Sequence, residues 1–277
     1  MTFYYSITLS SFLRLREDFE TTLKNLNQIG FSNLEMFGEP DDIDLIYFKD
    51  LFSNYESRVI GITGMWGRSS SKGWKRRLLS RDPALVKYSE NYILNCIKLC
   101  NYFGGNKFNV CLFSDSINHI DVTHTTVLEE EKIKLVKKSV PILKKLSRIA
   151  SDNNIDLVIE PLNRYSTPYC SKFEEAKVLL DTCPDLQVML DTFHMNIEED
   201  SFSDTIIKAK DRLVHLHFAD NNRKMPGEGH IDFKTVIESL KRVSFNGFLS
   251  FEPTISSTDY IKKIKLGLEY IKNLDLK

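Results

Sequence analysis

The stretch VMLDTFHMNIEED at residues 188–200, followed after a helix by LVHLHFADNNRKMPGEGHID at residues 213–232, decides the fold. Two short apolar runs, residues 186–190 and 213–218, each deliver a metal-competent residue at or near the end, Asp191 and His217. Apolar runs this short, bounded by polar turn residues, read as buried strands. The device recurs twice: Asp156-Leu157-Val158-Ile159 runs into Glu160-Pro161, and Phe248-Leu249-Ser250-Phe251 into Glu252-Pro253. A proline cannot donate to a sheet ladder, so each strand stops there and leaves a glutamate at its tip. Four strand tips thus carry Glu, Asp, His and Glu, an oxygen-rich ligand set with one imidazole.

The rest of the chain alternates in the same way. Strands are expected over residues 3–7, 33–37, 59–63, 108–113, 155–160, 186–191, 213–218 and 247–252. Helices are expected over 19–29, 44–55, 84–103, 129–153, 172–181, 203–210, 233–243 and 259–273, with a kink at Pro141 inside the fourth. Asp82-Pro83 opens the long third helix and Gly104-Gly105 closes it. Strict alternation predicts a parallel sheet with helical crossovers. Eight such units in 277 residues predict a closed (β/α)₈ TIM barrel, one domain over residues 1–277. An open doubly wound sheet would want a glycine-rich turn after its first strand, and Ile7-Thr8-Leu9-Ser10-Ser11 has no glycine.

Composition narrows the function classes. The chain is 42% hydrophobic and 27% charged, ordinary values for a soluble globular protein. Its net charge of -1 gives no general attraction to nucleic acid or to anionic membrane. No apolar run approaches the ~20 residues of a membrane span. The N-terminal MTFYYSITLS has no basic region and no cleavage pattern, so no secretion signal is expected. The cysteines, Cys96, Cys100, Cys111, Cys170 and Cys183, are odd in number and form no CxxC pair, which fits a reduced, cytoplasmic protein.

In a barrel of this kind chemistry sits at the C-terminal ends of the strands. Glu160, Asp191, His217 and Glu252 end strands five to eight, so their tips share one arc of the rim. Any one of them alone reads equally well as a helix cap or loop contact. Three oxygen donors and one nitrogen suit manganese, with cobalt or magnesium as substitutes. A divalent ion polarises a carbonyl and stabilises an enediolate. Glu160 and Glu252, on strands separated by two others, can then remove a proton beside the carbonyl and return one from the other side.

These residues carry a resemblance. Glu160-Pro161-Leu162-Asn163-Arg164-Tyr165, the run from Asp191 to Glu199, His215-Leu216-His217 with Arg223 six residues on, Pro226-Gly227-Glu228-Gly229 and Phe251-Glu252-Pro253 together resemble the D-tagatose 3-epimerase family. That family includes the D-psicose (allulose) and L-ribulose 3-epimerases and lies within the xylose-isomerase-like barrel superfamily. The specific motifs cover residues 160–252, and Tyr4-Tyr5-Ser6 is the nearest echo in the N-terminal half. The resemblance implies one divalent metal, Mn²⁺ first, on Glu160, Asp191, His217 and Glu252. It implies that Glu160 and Glu252 exchange the C3 proton of a small-molecule ketose, that His194 and Arg223 contact its hydroxyls, and that the protein is a homodimer or homotetramer. Tyr4 and Ser166 join the expected substrate contacts. One departure stands out: epimerases of this subgroup usually carry a glutamate where this chain has Ser166. That keeps open an aldose–ketose isomerase, such as one acting on hydroxypyruvate, and after it a dehydratase of a polyol ketone.

Other candidates have plainer readings. His215, two before His217 on one strand, points the same way and reads as core or support for the site. His119, His124 and His230 read as loop residues, and Cys96 and Cys100 as helix packing. The loop at residues 64–77 mixes two tryptophans with bases, and reads as a solvated loop, a lid, or a phosphate contact through Arg68 or Lys72. The hydroxyl-rich residues 254–258 read as the cap of the last helix. A nuclease of the endonuclease IV type would need more histidines at the ends of strands two and three, which have none, and a broad basic face. A sugar-binding protein without catalysis would leave two acid–base glutamates unexplained.

Overall fold

The computed structural model describes residues 3–15, 17–115, 129–256 and 259–276. Along the chain lie β1 (Tyr4–Thr8), α1 (Phe19–Gln28), β2 (Asn33–Gly38), α2 (Leu45–Asn54), β3 (Arg58–Gly64), α3 (Pro83–Phe103), β4 (Lys107–Val110), α4 (Glu129–Lys138), α5 (Val140–Asp152), β5 (Asp156–Ile159), α6 (Phe173–Leu180), β6 (Leu186–Asp191), α7 (Thr192–Glu198), α8 (Phe202–Ala209), β7 (Leu213–Phe218), α9 (Phe233–Arg242), β8 (Phe248–Phe251) and α10 (Tyr260–Asp275). The eight strands close in sequence order, and every neighbouring pair is parallel. This is the expected (β/α)₈ barrel.

Local chemistry sets the element ends. The side chains of Asp18, Asp44, Asp82, Ser201 and Asp232 each accept from backbone N–H groups in the first turn of their helices, groups that have no partner within the helix. Gly104 closes α3 with φ of 75°, a left-handed turn that glycine makes without steric penalty. On α9, Phe233, Val236, Ile237 and Leu240 are buried at helical spacing, and each large apolar side chain so buried contributes about 1.5–3 kcal/mol.

Three elements differ from the sequence reading. The helix expected over 129–153 is two, divided at Ser139, because Pro141 has no N–H to continue the ladder and falls in the first turn of α5. The fourth strand leaves the ladder at Val110, three residues early. Beyond it Leu112 O accepts from Thr167 Oγ1 at 2.8 Å and Phe113 O from Leu79 N at 3.0 Å, so loop contacts replace the sheet partner. Finally, α7 springs directly from β6, where no element was expected. Its seven residues are too few for an apolar period to show.

All five cysteines are free and buried. No described helix is long and apolar enough to cross a membrane. His119, His124 and the end of the hydroxyl-rich stretch, residues 257–258, lie outside the described residues.

Candidate active site

The strand ends deliver their residues in register. Asp191 is the last residue of β6 and pairs with His217, the penultimate residue of β7. Glu160 and Glu252 come one residue after β5 and β8. Each still donates its backbone N–H to the preceding strand, Glu160 to Val110 O and Glu252 to Phe218 O, both at 3.0 Å. The prolines that follow end the ladders there. One ligand atom from each of the four residues lies within 4.8 Å of the others.

Around this cluster the charges are closely matched. Arg223 donates to both Asp191 Oδ2 and Glu252 Oε2. Its backbone sits in the left-handed region, at φ of 58°. The turn holding it is built on Asp220, whose carboxylate accepts from the N–H groups of Gly227 and Gly229 at 2.9 Å and of Ile231 at 3.1 Å. A Cβ on Gly229 would lie 2.3 Å from that carboxylate, so the glycine-rich motif is a steric requirement of the turn. Burial pushes the Glu160 carboxyl up to about 7, against the pull of the His217 charge. Asn109 Nδ2 donates to Glu160 Oε2 at 2.6 Å. Burial also acts to raise Asp191, but the charges of Arg223 above all and of His217 outweigh it and hold that carboxyl below its usual range.

His194 stands on α7. Burial lowers its pKa to about 4, so the imidazole is neutral. Its Nδ1 lies 2.7 Å from Asn163 Nδ2; with the amide donating, the ring proton is left on Nε2, 3.8 Å from Asp191 Oδ2. Two neighbours on the same motif are structural. Glu198 accepts from Arg164 N at 2.7 Å and from its guanidinium at 2.9 Å, tying α7 to the turn after β5. Glu199 accepts from Phe173 N at 2.7 Å and Thr205 Oγ1 at 3.0 Å.

Below the four candidate ligands lies a group that sequence reading missed. Glu35, buried on β2, accepts from His215 Nε2 at 2.6 Å, from His217 Nε2 at 3.1 Å and from Thr63 Oγ1 at 2.8 Å. Burial acts to raise its pKa, but the charges of His215 and His217 outweigh it and hold the carboxyl well below its usual range. The only signal in the sequence was a carboxylate between Leu34 and Met36 in an apolar strand. With Nε2 engaged, His217 turns Nδ1 to the carboxylates of the cluster, 3.0 Å from Glu252 Oε2 and 3.9 Å from Glu160 Oε1, and this buried atom has no hydrogen-bond partner. Three carboxylates converging on an unpartnered imidazole nitrogen fit a divalent cation. Burial pulls the His217 pKa down, but Glu252 and Glu35 outweigh it and hold it well above the usual value; a cation taking Nδ1 would displace that proton.

Glu35→Gln tests this support. Glutamine has one acceptor oxygen and cannot hold both imidazoles in one tautomer. Affinity for Mn²⁺, read by chelator competition, is expected to fall about 10- to 100-fold. An unchanged affinity would refute the role assigned to Glu35.

This four-residue cluster opens into a cleft of about 220 Å³ lined by Glu160, Glu252, His194, Arg223 and Ser166 together with Trp66, Arg68 and Trp74 from the loop after β3. Tyr4 must be corrected. It is the first residue of β1, paired with Phe248 at the start of β8, 60% exposed, at the opposite end of the barrel. Parallel strands present their first and last residues on opposite faces, so a residue opening a strand cannot line this cleft. His215 takes the supporting place expected of it, and His230 is an exposed loop residue.

A closed parallel barrel with a carboxylate–imidazole cluster at its C-terminal mouth defines a class, and the comparisons agree. The model of the xylose isomerase-like TIM barrel family matches residues 23–274, and the chain belongs to that family. A D-psicose 3-epimerase of Enterocloster bolteae is 35% identical over 93% of this chain and 84% of its own length. An L-ribulose 3-epimerase of a Methylomonas species is 26% identical over 77% of this chain and 70% of its own. Among solved structures, a D-psicose 3-epimerase with D-tagatose from Clostridium cellulolyticum superposes with a TM-score of 0.82 at 21% identity, covering 98% of this chain and 99% of the other.

Proposed function

We propose that this protein is a divalent-metal-dependent ketose 3-epimerase, inverting C3 of a 2-ketose through an enediolate. The observation that carries the reading is the convergence of Glu160, Asp191, His217 and Glu252 on one point of the cleft. The relatives named D-psicose and L-ribulose 3-epimerase support the reaction class. Glu160, Asp191, His217 and Glu252 would hold the metal, with Mn²⁺ preferred and Co²⁺ or Mg²⁺ accepted. When bound, the cation would polarise the C2 carbonyl and stabilise the negative charge developing beside it. Glu160 and Glu252 do the proton chemistry. One carboxylate takes the C3 proton, the C2–C3 double bond forms as charge moves to O2, and the other carboxyl returns a proton to the opposite face. His194, neutral and protonated on Nε2, donates to a substrate oxygen, and Arg223 steadies the charge of Asp191 and Glu252 while facing the cleft.

The test is proton NMR in heavy water of metal-loaded protein with D-fructose, D-psicose, D-tagatose, L-ribulose and hydroxypyruvate. Deuterium is expected at C3 together with the new epimer, and chelation of the metal is expected to stop both. Exchange at C1 with an aldose appearing, or conversion of hydroxypyruvate, would replace this reading by an aldose–ketose isomerase. Ser166, a neutral exposed residue lining the cleft, is the observation that keeps this second reading open.

A further inference from the structure

We propose that the natural substrate carries an anionic group, a phosphate monoester or a carboxylate, and that Arg68 receives it across the cleft from the metal ligands. The sugar half of this statement rests on the epimerase reading; the anion site does not. The four ligands come from β5 to β8, whereas Arg68 stands on the loop after β3, which lies opposite β7 in an eight-stranded ring. The cleft therefore has a ligand end and, facing it, a wall bearing a cation.

That cation is set apart from its neighbours. The loop at residues 64–77 carries several bases, and most are engaged. Lys72 Nζ sits 2.6 and 2.7 Å from the Asp42 carboxylate, away from the cleft. Arg76 is buried on Glu39. Lys75 does not line the cleft, and Arg77 is held elsewhere. Arg68 lines it, and among the described residues no hydrogen bond or ion pair engages its guanidinium. Among the described residues the acids lining the same cleft are Glu160 and Glu252, which belong to the candidate ligand cluster, and Ser166 adds no charge.

The backbone turn that carries the cation is fixed. Trp66 Nε1 donates to Asn109 O at 3.1 Å, and Ser69 Oγ to Trp66 O at 2.6 Å, closing the turn on both sides of Arg68. The two passes of the loop touch: a Cβ on Gly73 would lie 2.4 Å from Gly67 O. Arg68 itself is exposed, and the planar fork of its guanidinium matches the two oxygens of a carboxylate or phosphate. A neutral sugar hydroxyl would engage only one arm of that fork.

Binding can be measured without turnover. Metal-loaded protein is titrated calorimetrically with D-glucitol 6-phosphate, D-gluconate and D-glucitol, none of which has a carbonyl to enolise. An anionic polyol is expected to bind about 10- to 100-fold tighter than glucitol, as a charge-assisted pair should. Arg68→Gln is expected to remove most of that advantage and Arg68→Lys to restore part of it. The anion with the larger Arg68-dependent gain names the group. Equal binding of all three polyols, or an advantage that survives in Arg68→Gln because the anion sits on the metal, would overturn the proposal. Ketoses that exchange deuterium without an Arg68-dependent preference would overturn the anion site and leave the epimerase reading intact. An Arg68-dependent preference with no exchange in any ketose, neither the neutral ones nor their 6-phosphates and ketoaldonates, would do the reverse.

Discussion

Glu252→Gln is expected to slow interconversion of the two C3 epimers by about two to four orders of magnitude, the scale set by losing a positioned acid–base group. Glutamine keeps the side chain's volume and can still offer an oxygen to the cation, but it cannot accept a proton from carbon. The two-glutamate arrangement makes a sharper prediction than loss of rate. Glu160 remains, so the epimer whose C3 hydrogen faces Glu160 is expected to go on acquiring solvent deuterium without inverting, and the other epimer is not. Glu160→Gln is expected to reverse that selectivity. Bound metal per chain must be measured in each variant, because both residues are candidate ligands. If a metal-replete single variant washes deuterium into both epimers equally, one base serves both faces and the division of labour between Glu160 and Glu252 is wrong.

What made the four candidate ligands legible was their position at chain discontinuities. Pro161 and Pro253 mark where a ladder must end, and a buried strand ending in a carboxylate is visible without any knowledge of its neighbours. Strand order then follows from alternation, so adjacency of the tips was legible too. Glu35 was not, because its role depends on facing His215 and His217 across the barrel, from a strand 180 residues earlier in the chain. Asn109 and Asn163 were hidden for the same reason: each is an ordinary polar residue until Glu160 or His194 is placed 2.6 or 2.7 Å away.

The one misplaced residue, Tyr4, shows the opposite failure. Its motif echo outweighed a geometric fact already available, that the first residue of a parallel barrel strand lies at the end away from the chemistry. The short helix after β6 was illegible for a different cause. Asp191 is at once the end of a strand, the N-cap of a helix, accepting from Phe193 N at 2.8 Å, and a candidate metal ligand. One residue serving three elements leaves no turn signal between them.

The loop at residues 64–77 carries the second large effect, and here stability and function are coupled. Arg76 is 1% exposed. Its guanidinium donates to both oxygens of Glu39 and to Met65 O, and it lies 3.7 Å above the ring of Tyr92, whose hydroxyl in turn binds Met65 N and Gly38 O at 2.8 Å. This network fastens the loop to the ends of β2 and β3. Arg76→Met would leave Glu39 buried without its counter-charge, which costs about 3–5 kcal/mol. In a chain of this size the unfolding midpoint is then expected to drop by roughly 6–15 °C. Replacing both partners, with Arg76→Met and Glu39→Leu together, removes the stranded charge and is expected to recover a large part of the loss. The chain's two tryptophans, Trp66 and Trp74, both lie in this loop, so their emission reports it while circular dichroism reports the barrel. In the single variant the emission is expected to shift to the red at temperatures where the barrel is still folded, and binding of anionic polyols to weaken with it. An Arg76→Met protein that melts with the wild type, its tryptophan emission unchanged, would mean that packing alone holds the loop and that the buried pair contributes nothing to it.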